Sequence, residues 1–422
     1  MAVEKKKESA ATSRASYKKI TSRTSLFSRY FNEASFTLVE ILIVIGVIAI
    51  LTAVTLVILN PVEYIKRGRD DQRMGDINSL QTLITQKEYS GNRISFGQSN
   101  VVYISLADSS STCGSYTLPG LAAGWSYHCA PTASYRNVDG TGWLPVDLSA
   151  SKTFAVLPLD PTNDQNYYYA FIASSDNSFV LTSMFESQQE LKNIAAKDNG
   201  TDDTRYETGT NLALWTQASG LVGYWKFDEG SGTTTADASG NGNTGTLYNS
   251  PIWQTGSNCK EGSCLSFNGT NSFVRILNSS TINPGTSNFS TNVWYNTNSL
   301  SGILYNKESL YETETASECG QAGCYAWQPA WAWRGSGFNA VTGQWIMMTM
   351  VYDHANQYLY KNGVLVYSTP LTGDMGTNGN NLTFAARSDG TSAFFNGALD
   401  EIRFYNRALS AAEVQNLYTA EK

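Results

Sequence analysis

Gly343-Gln-Trp-Ile-Met-Met-Thr-Met-Val-Tyr-Asp353, followed by Gln357-Tyr-Leu-Tyr-Lys-Asn-Gly-Val-Leu-Val-Tyr367, decides the fold of the C-terminal half. Asn362-Gly363 sits between alternating apolar positions, where a two-residue hairpin turn needs positive φ at both residues. Downstream, Ser410-Ala-Ala-Glu413 has the spacing of a capping box and predicts a short terminal helix. Upstream, turn signals recur between short strand-like runs, the pattern of a two-sheet sandwich.

Four further stretches lie around this hairpin in consistent order. They are Gly223-Tyr-Trp-Lys-Phe-Asp-Glu-Gly-Ser-Gly232, Asp237-Ala-Ser-Gly-Asn-Gly-Asn-Thr-Gly-Thr-Leu247, Cys264-Leu-Ser-Phe-Asn-Gly-Thr-Asn-Ser-Phe-Val-Arg-Ile276 and Gly397-Ala-Leu-Asp-Glu-Ile-Arg-Phe-Tyr-Asn-Arg-Ala-Leu-Ser-Ala-Ala-Glu-Val414. Together they resemble the laminin-G-like jelly-roll family of concanavalin A-like sandwiches, over residues 219–422. The resemblance implies recognition of a glycan or protein ligand, with calcium in some members. Candidate ligand-binding residues are Trp327, Trp331 and Trp333 in Tyr325-Ala-Trp-Gln-Pro-Ala-Trp-Ala-Trp-Arg334. The last two would share a strand face; stacking on sugar rings and packing a core are both open. Asp237 and Asp400 are candidate metal ligands by resemblance, with turn-stabilising hydrogen bonds as the alternative.

At the other end, Phe36-Thr-Leu-Val-Glu40-Ile-Leu-Ile-Val-Ile-Gly-Val-Ile-Ala-Ile-Leu-Thr-Ala-Val-Thr-Leu-Val-Ile-Leu59 is apolar apart from Glu40. As a helix it would span about 36 Å, against a hydrocarbon core of roughly 30 Å. A long transmembrane helix is therefore expected. Lys5, Lys6, Lys7, Arg14, Lys18, Lys19, Arg23 and Arg29 precede it, so the remainder should face outward from the cytoplasmic membrane. An ionisable side chain inside such a segment is a functional candidate by default.

Ser35-Phe-Thr-Leu-Val-Glu40-Ile-Leu-Ile-Val44 resembles the processing signal of type IV pilins and type II secretion pseudopilins. The resemblance implies a prepilin peptidase that cuts between Ser35 and Phe36 and methylates the new amine. It also implies other pilin subunits as partners, with Glu40 meeting a neighbour's amine during assembly. The family's usual residue before the cut is Gly; Ser35 departs from that pattern.

Between these ends, Asn60-Pro61 predicts a kink and Val62 to Ile84 an amphipathic helix. Its interleaved Lys66, Arg67, Arg69, Asp70, Asp71 and Arg73 suit either salt bridges between subunits or a solvated face. Strand-like runs at 101–105, 153–157, 166–172 and 178–185 predict a small β head. The order of helix, loop and strand pair resembles a pseudopilin head, some of which hold calcium in a late acidic loop. Here that loop would be Asp198-Asn-Gly-Thr-Asp-Asp-Thr-Arg-Tyr-Glu207, with Asp198, Asp202 and Asp203 as candidate Ca²⁺ ligands, or a solvated acidic linker.

The chain has 422 residues and a net charge of −7, which argues against nucleic-acid binding. Its six cysteines fall into sequential pairs, Cys113/Cys129, Cys259/Cys264 and Cys319/Cys324, a pattern suited to disulfides in an oxidising compartment. With only His128 and His354 available, zinc and histidine-based catalysis are disfavoured. No Glu-x-Asp-x-x-Glu string, nucleophile elbow, His-Glu-x-x-His or phosphate loop is present, so no catalytic role is expected.

The expected organisation is a basic leader (1–35), a transmembrane and amphipathic helix (36–88), a pilin-like head (89–215) and a jelly roll (219–422). The expected class is α+β, with the long helix and small head followed by an all-β sandwich. Two functions compete. One is a filament subunit displaying a binding domain for surface adhesion; the other is a single-pass membrane-tethered binding module that does not polymerise.

Overall fold

The computed structural model describes residues 37–89, 95–198, 200, 202, 204–315, 324–335 and 341–421, except the side chains at 53–59, 196 and 324. The chain divides into two compact units, Met1–Pro61 and Val62–Lys422. The leader, Ser35 and Phe36 lie outside the described residues.

In the first unit, α1 spans Leu38–Leu59. It opens on a capping box. The Glu40 carboxylate accepts the Thr37 N–H and hydroxyl, each at 2.9 Å, and the Thr37 hydroxyl accepts the Glu40 N–H at 3.2 Å. Among the described residues no helix is long and apolar enough to cross a membrane. The expected transmembrane helix, the single-pass location in the cytoplasmic membrane and the α+β class built on them are therefore corrected. The described chain is mainly β-sheet, with few helices.

Asn60, at φ 38°, ends α1, and Pro61 opens α2 (Pro61–Tyr89), a position where its missing N–H costs nothing. Ile77, Leu80 and Ile84 of α2 are fully buried in one cluster with Trp143, Tyr169, Phe171 and Phe179. The solvated-face reading fails for Asp70 and Arg73, which are buried. Arg73 makes ion pairs of 2.7 Å to each of Asp70, Asp160 and Glu186. A guanidinium taken out of water this completely needs such partners, and they fasten α2 to the head.

The head sheet contains β1 (Val101–Ala107), β2 (Ser126–Ala130), β3 (Tyr169–Ala173), β4 (Phe179–Met184) and β5 (Arg205–Gly209), in the order β2-β1-β3-β4-β5. Only the β1–β2 pairing is parallel. The run at 153–157 is not a strand. The Leu157 N–H donates to the Arg136 carbonyl at 2.8 Å, and the Leu157 carbonyl accepts Arg136 Nε at 3.1 Å. Those bonds tie its backbone to a loop, although its side chain is buried. Two short helices, α3 (Gln188–Asn193) and α4 (Ala213–Ser219), complete the head.

The sandwich starts at β6 (Leu221–Trp225), β7 (Thr234–Thr235), β8 (Gly245–Tyr248), β9 (Ile252–Thr255) and β10 (Ser263–Asn268). It continues through β11 (Phe273–Ile276), β12 (Phe289–Thr297), β13 (Ile303–Lys307), β14 (Tyr311–Glu314) and β15 (Cys324–Trp327). β16 (Trp345–Tyr352), β17 (Asn356–Lys361), β18 (Val364–Pro370), β19 (Leu382–Phe384) and β20 (Asn396–Tyr405) follow, and α5 (Ala411–Glu421) ends it. One sheet runs β18-β17-β16-β12-β20-β10-β9, with β6 also paired to β20; the other runs β15-β14-β13-β19-β11-β8-β7. Trp225, Phe289, Tyr305, Tyr311, Trp327, Phe384 and Phe404 fill the core between them. Asn362 and Gly363 turn between β17 and β18 at φ 51° and 80°, as the hairpin chemistry requires. Ser410 and Glu413 form the expected capping box: the Glu413 carboxylate accepts the Ser410 N–H at 2.8 Å, and the Ser410 hydroxyl accepts the Glu413 N–H at 3.3 Å.

Candidate functional site

The segment after β15 carries the tryptophans singled out above. β15 lies at the edge of its sheet and pairs with β14, Tyr311 opposite Trp327. Trp327 is fully buried, its ring 5.7 Å from Phe289 and 6.1 Å from Tyr311. It is a core residue. The chain then turns through Gln328-Pro329 and leaves the strand, so Trp331 and Trp333 do not share a strand face as expected. They sit two residues apart on a loop, each half-buried, with Ala332 between them exposed.

That loop is closed at both ends. The Tyr325 N–H donates to the Arg334 carbonyl at 3.1 Å, and the Arg334 N–H donates to the Tyr325 carbonyl at 2.9 Å. Arg334 Nη1 also donates to the carbonyls of Ala330 (3.1 Å) and Ala332 (3.3 Å). Gly373, at φ 112°, brings the neighbouring loop close enough that a Cβ there would lie 3.2 Å from the Pro329 ring. Two indoles held on a short, braced loop form an aromatic surface with a fixed guanidinium beside it. Such a surface can stack on an apolar ring face and hydrogen-bond its rim.

The described candidate metal ligands each accept backbone N–H groups. Asp237 accepts the N–H groups of Tyr224, Ser239 and Asn243 at 2.9–3.0 Å, a loop-closing role. Asp400 accepts the N–H groups of Lys260 (3.0 Å) and Glu261 (3.1 Å). Burial and the adjacent Glu401 push the Asp400 carboxyl well above its ordinary range. Asp198 takes the Gly200 and Glu207 N–H groups, and Asp202 takes the Thr204 N–H and Trp215 Nε1. Asp203 lies outside the described residues. Among the described residues no group of three His, Cys, Asp or Glu is placed to hold a metal ion.

Disulfides join Cys113 to Cys129 and Cys259 to Cys264. The first fastens the loop after β1 to β2, and the second closes the turn into β10. Cys319 and the Cys324 side chain lie outside the described residues.

One carboxylate pair escaped the sequence reading. Glu312 and Glu314 occupy alternate positions of β14, which places them on one face, and both are buried. Arg387 lies 3.5 Å from Glu312. Burial outweighs that cation and pushes the Glu312 carboxyl up to about 8. Glu-x-Glu in a strand was the available signal, hidden because the segment 307–314 has little apolar alternation.

Residues 268–415 match the family model described as the concanavalin A-like lectin/glucanases superfamily. Among curated proteins no relative matches the chain. Several solved structures align with it. Domain 4 of an extracellular arabinanase from Geobacillus stearothermophilus, in complex with arabinotriose, is 20% identical; the alignment covers 47% of this chain and 98% of that one, at a TM-score of 0.39. The binding domain of Paraclostridial Mosquitocidal Protein 1 is 16% identical, covering 47% and 52%, at 0.37. The binding domain of botulinum neurotoxin serotype G is 16% identical, covering 47% and 50%, at 0.36. The chain thus spans about half the length of the two toxin domains. Residues 268–415 are thus similar to laminin-G-like domains of the concanavalin A-like jelly-roll type.

Proposed function

We propose that this chain is a binding protein whose jelly roll takes a glycan on the loop carrying Trp331 and Trp333. The observation that carries this reading is the bracing of that loop by Tyr325, Arg334 and Pro329, with both indoles partly open. Preorganised aromatic rings lose little entropy on binding, so two of them suit a weakly polar sugar face. The lectin-type description of the matched family supports the same reading. A glycan array with the full chain tests it. Binding should be lost in Trp331→Ala and in Trp333→Ala; unchanged binding in both variants, or silence of the wild type across sugars, would remove the proposal.

A second reading gives α1 a role in assembly with other pilin-like subunits. One observation favours it: the apolar side chains of α1 from Leu38 to Leu51 are exposed, several by more than half. A surface of that kind calls for a covering partner. Cleavage before Phe36 by a prepilin peptidase would leave an amine for which the Glu40 carboxylate, now held by Thr37, would have to compete. Sedimentation of the cleaved protein should show polymers that Glu40→Ala abolishes.

A further inference from the structure

The loop that presents Trp331 and Trp333 also fixes a cation beside them. Arg334 Nη1 donates to the carbonyls of Ala330 (3.1 Å) and Ala332 (3.3 Å), the residues on either side of Trp331. Those bonds hold the guanidinium against the backbone of the aromatic loop, and they use only one of its nitrogens. Among the described residues no hydrogen bond or ion pair engages Nε or Nη2, and both atoms reach the surface.

Elsewhere in this chain the same edge of a guanidinium takes a carboxylate. Arg73 presents Nε and Nη2 to Asp160 at 2.7 and 2.8 Å, and Arg69 presents them to Glu186. Two parallel N–H groups match the two oxygens of a carboxylate, and such a pair is stronger than a neutral hydrogen bond. In the sandwich Arg387, Arg403 and Arg407 each meet a carboxylate of the chain itself. Arg334 meets none. Its open edge is therefore held ready for an acid that the chain does not supply, next to rings that suit an apolar sugar face. A neutral sugar would satisfy the rings alone, and a free small anion the guanidinium alone. A sugar with a carboxylate on its ring satisfies both.

We propose that the glycan taken by this loop is acidic, with a hexuronate or sialate carboxylate on Arg334 Nε and Nη2 and the sugar ring against Trp331 or Trp333. This inference rests on the glycan reading of the loop and narrows it to one class of sugar.

Calorimetric titration of the full chain with galacturonate oligomers and with sialyllactose, each against its neutral counterpart (galactose oligomers and lactose), tests the proposal. One acidic sugar should bind about tenfold or more tightly than its counterpart, as expected for a hydrogen-bonded charge pair. The arm that shows the preference tells hexuronate from sialate. Arg334→Gln should bring the acidic sugar down to the affinity of the neutral one. That change also removes two bonds that brace the loop, so the wild type gives a second readout. Added NaCl should weaken the acidic sugar and leave the neutral one unchanged. Equal binding of acidic and neutral sugars, lost in Trp331→Ala, would overturn this inference and leave the glycan site standing. Silence with every sugar would remove both. An acidic preference that survives in Arg334→Gln, or sulfated lactose bound as tightly as sialyllactose, would also overturn it.

Discussion

Arg73, in the seam between α2 and the head sheet, and Arg205, in the seam between head and sandwich, are both buried, at 0% and 2% exposure. Arg73 meets three carboxylates at 2.7 Å, and its Nη2 also donates to the Thr162 hydroxyl at 3.2 Å. Arg205 meets one carboxylate at 3.7 Å and keeps a donor without a partner. The first arrangement completes a cation's hydrogen bonds and so builds structure. The second rests its guanidinium on the Trp215 and Tyr168 rings, 4.2 and 5.4 Å from their centroids. Two arginines of similar burial therefore differ in meaning through their surroundings alone.

The comparison breaks first at Arg73. Arg73→Met would strand Asp70, Asp160 and Glu186 in a buried site, and urea unfolding should show a loss of about 3–5 kcal/mol. A loss below about 1 kcal/mol would show that the cluster is solvated.

Acid titration sharpens the same seam. Burial alone would raise the Glu186 carboxyl, but hydrogen bonds and charge from Arg69 and Arg73 pull it from 4.5 down to about 2. A folded-state value below the unfolded one means that these pairs stabilise fully above about 4.5. The contribution fades as pH falls and is gone below about 2. Chemical unfolding across that window should show the decline in the wild type, and a shallower decline in Arg69→Gln.

Two tyrosines give the next contrast. The Tyr169 hydroxyl donates to Asp76 at 2.8 Å, whereas the Tyr127 hydroxyl has no partner. Tyr169→Phe should cost about 1 kcal/mol in unfolding experiments, while Tyr127→Phe should stay within about 0.5 kcal/mol. Equal costs would erase the distinction between the seams.

The smallest effect is expected at Lys192, which reaches Glu261 across the head–sandwich seam at 3.0 Å with 44% of its side chain exposed. Lys192→Ala should change stability by less than about 0.5 kcal/mol in thermal or urea melts.

Much of the fold could be read locally. Asn362-Gly363, the Ser410 box and the helical stripe of Ile77, Leu80 and Ile84 all depend on neighbours within a few residues, where backbone sterics and side-chain period decide. The Thr37–Glu40 box is equally local, since Thr-x-x-Glu is itself the capping spacing. The site was less legible. Trp327, Trp331 and Trp333 look alike in the chain, yet the turn at Pro329 sends the first into the core and leaves the others on a loop. Asp400 and Glu401 would face opposite ways in a regular strand; Glu401 at φ 53° breaks the alternation, and both are buried.

The sequence by itself determined the sandwich, its central hairpin, the amphipathic helix on the head and the acidic balance that disfavours nucleic acid. These follow from period, turn chemistry and net charge, which are properties of short segments or of composition. Only the tertiary structure decided which arginine is satisfied, which tryptophans stay open and which aspartates close loops. The Arg73 cluster depends on residues brought together from 87 positions apart, as Arg73 and Asp160 are, and the open tryptophans and loop-closing aspartates on turns that the folded chain imposes; no sequence period records either.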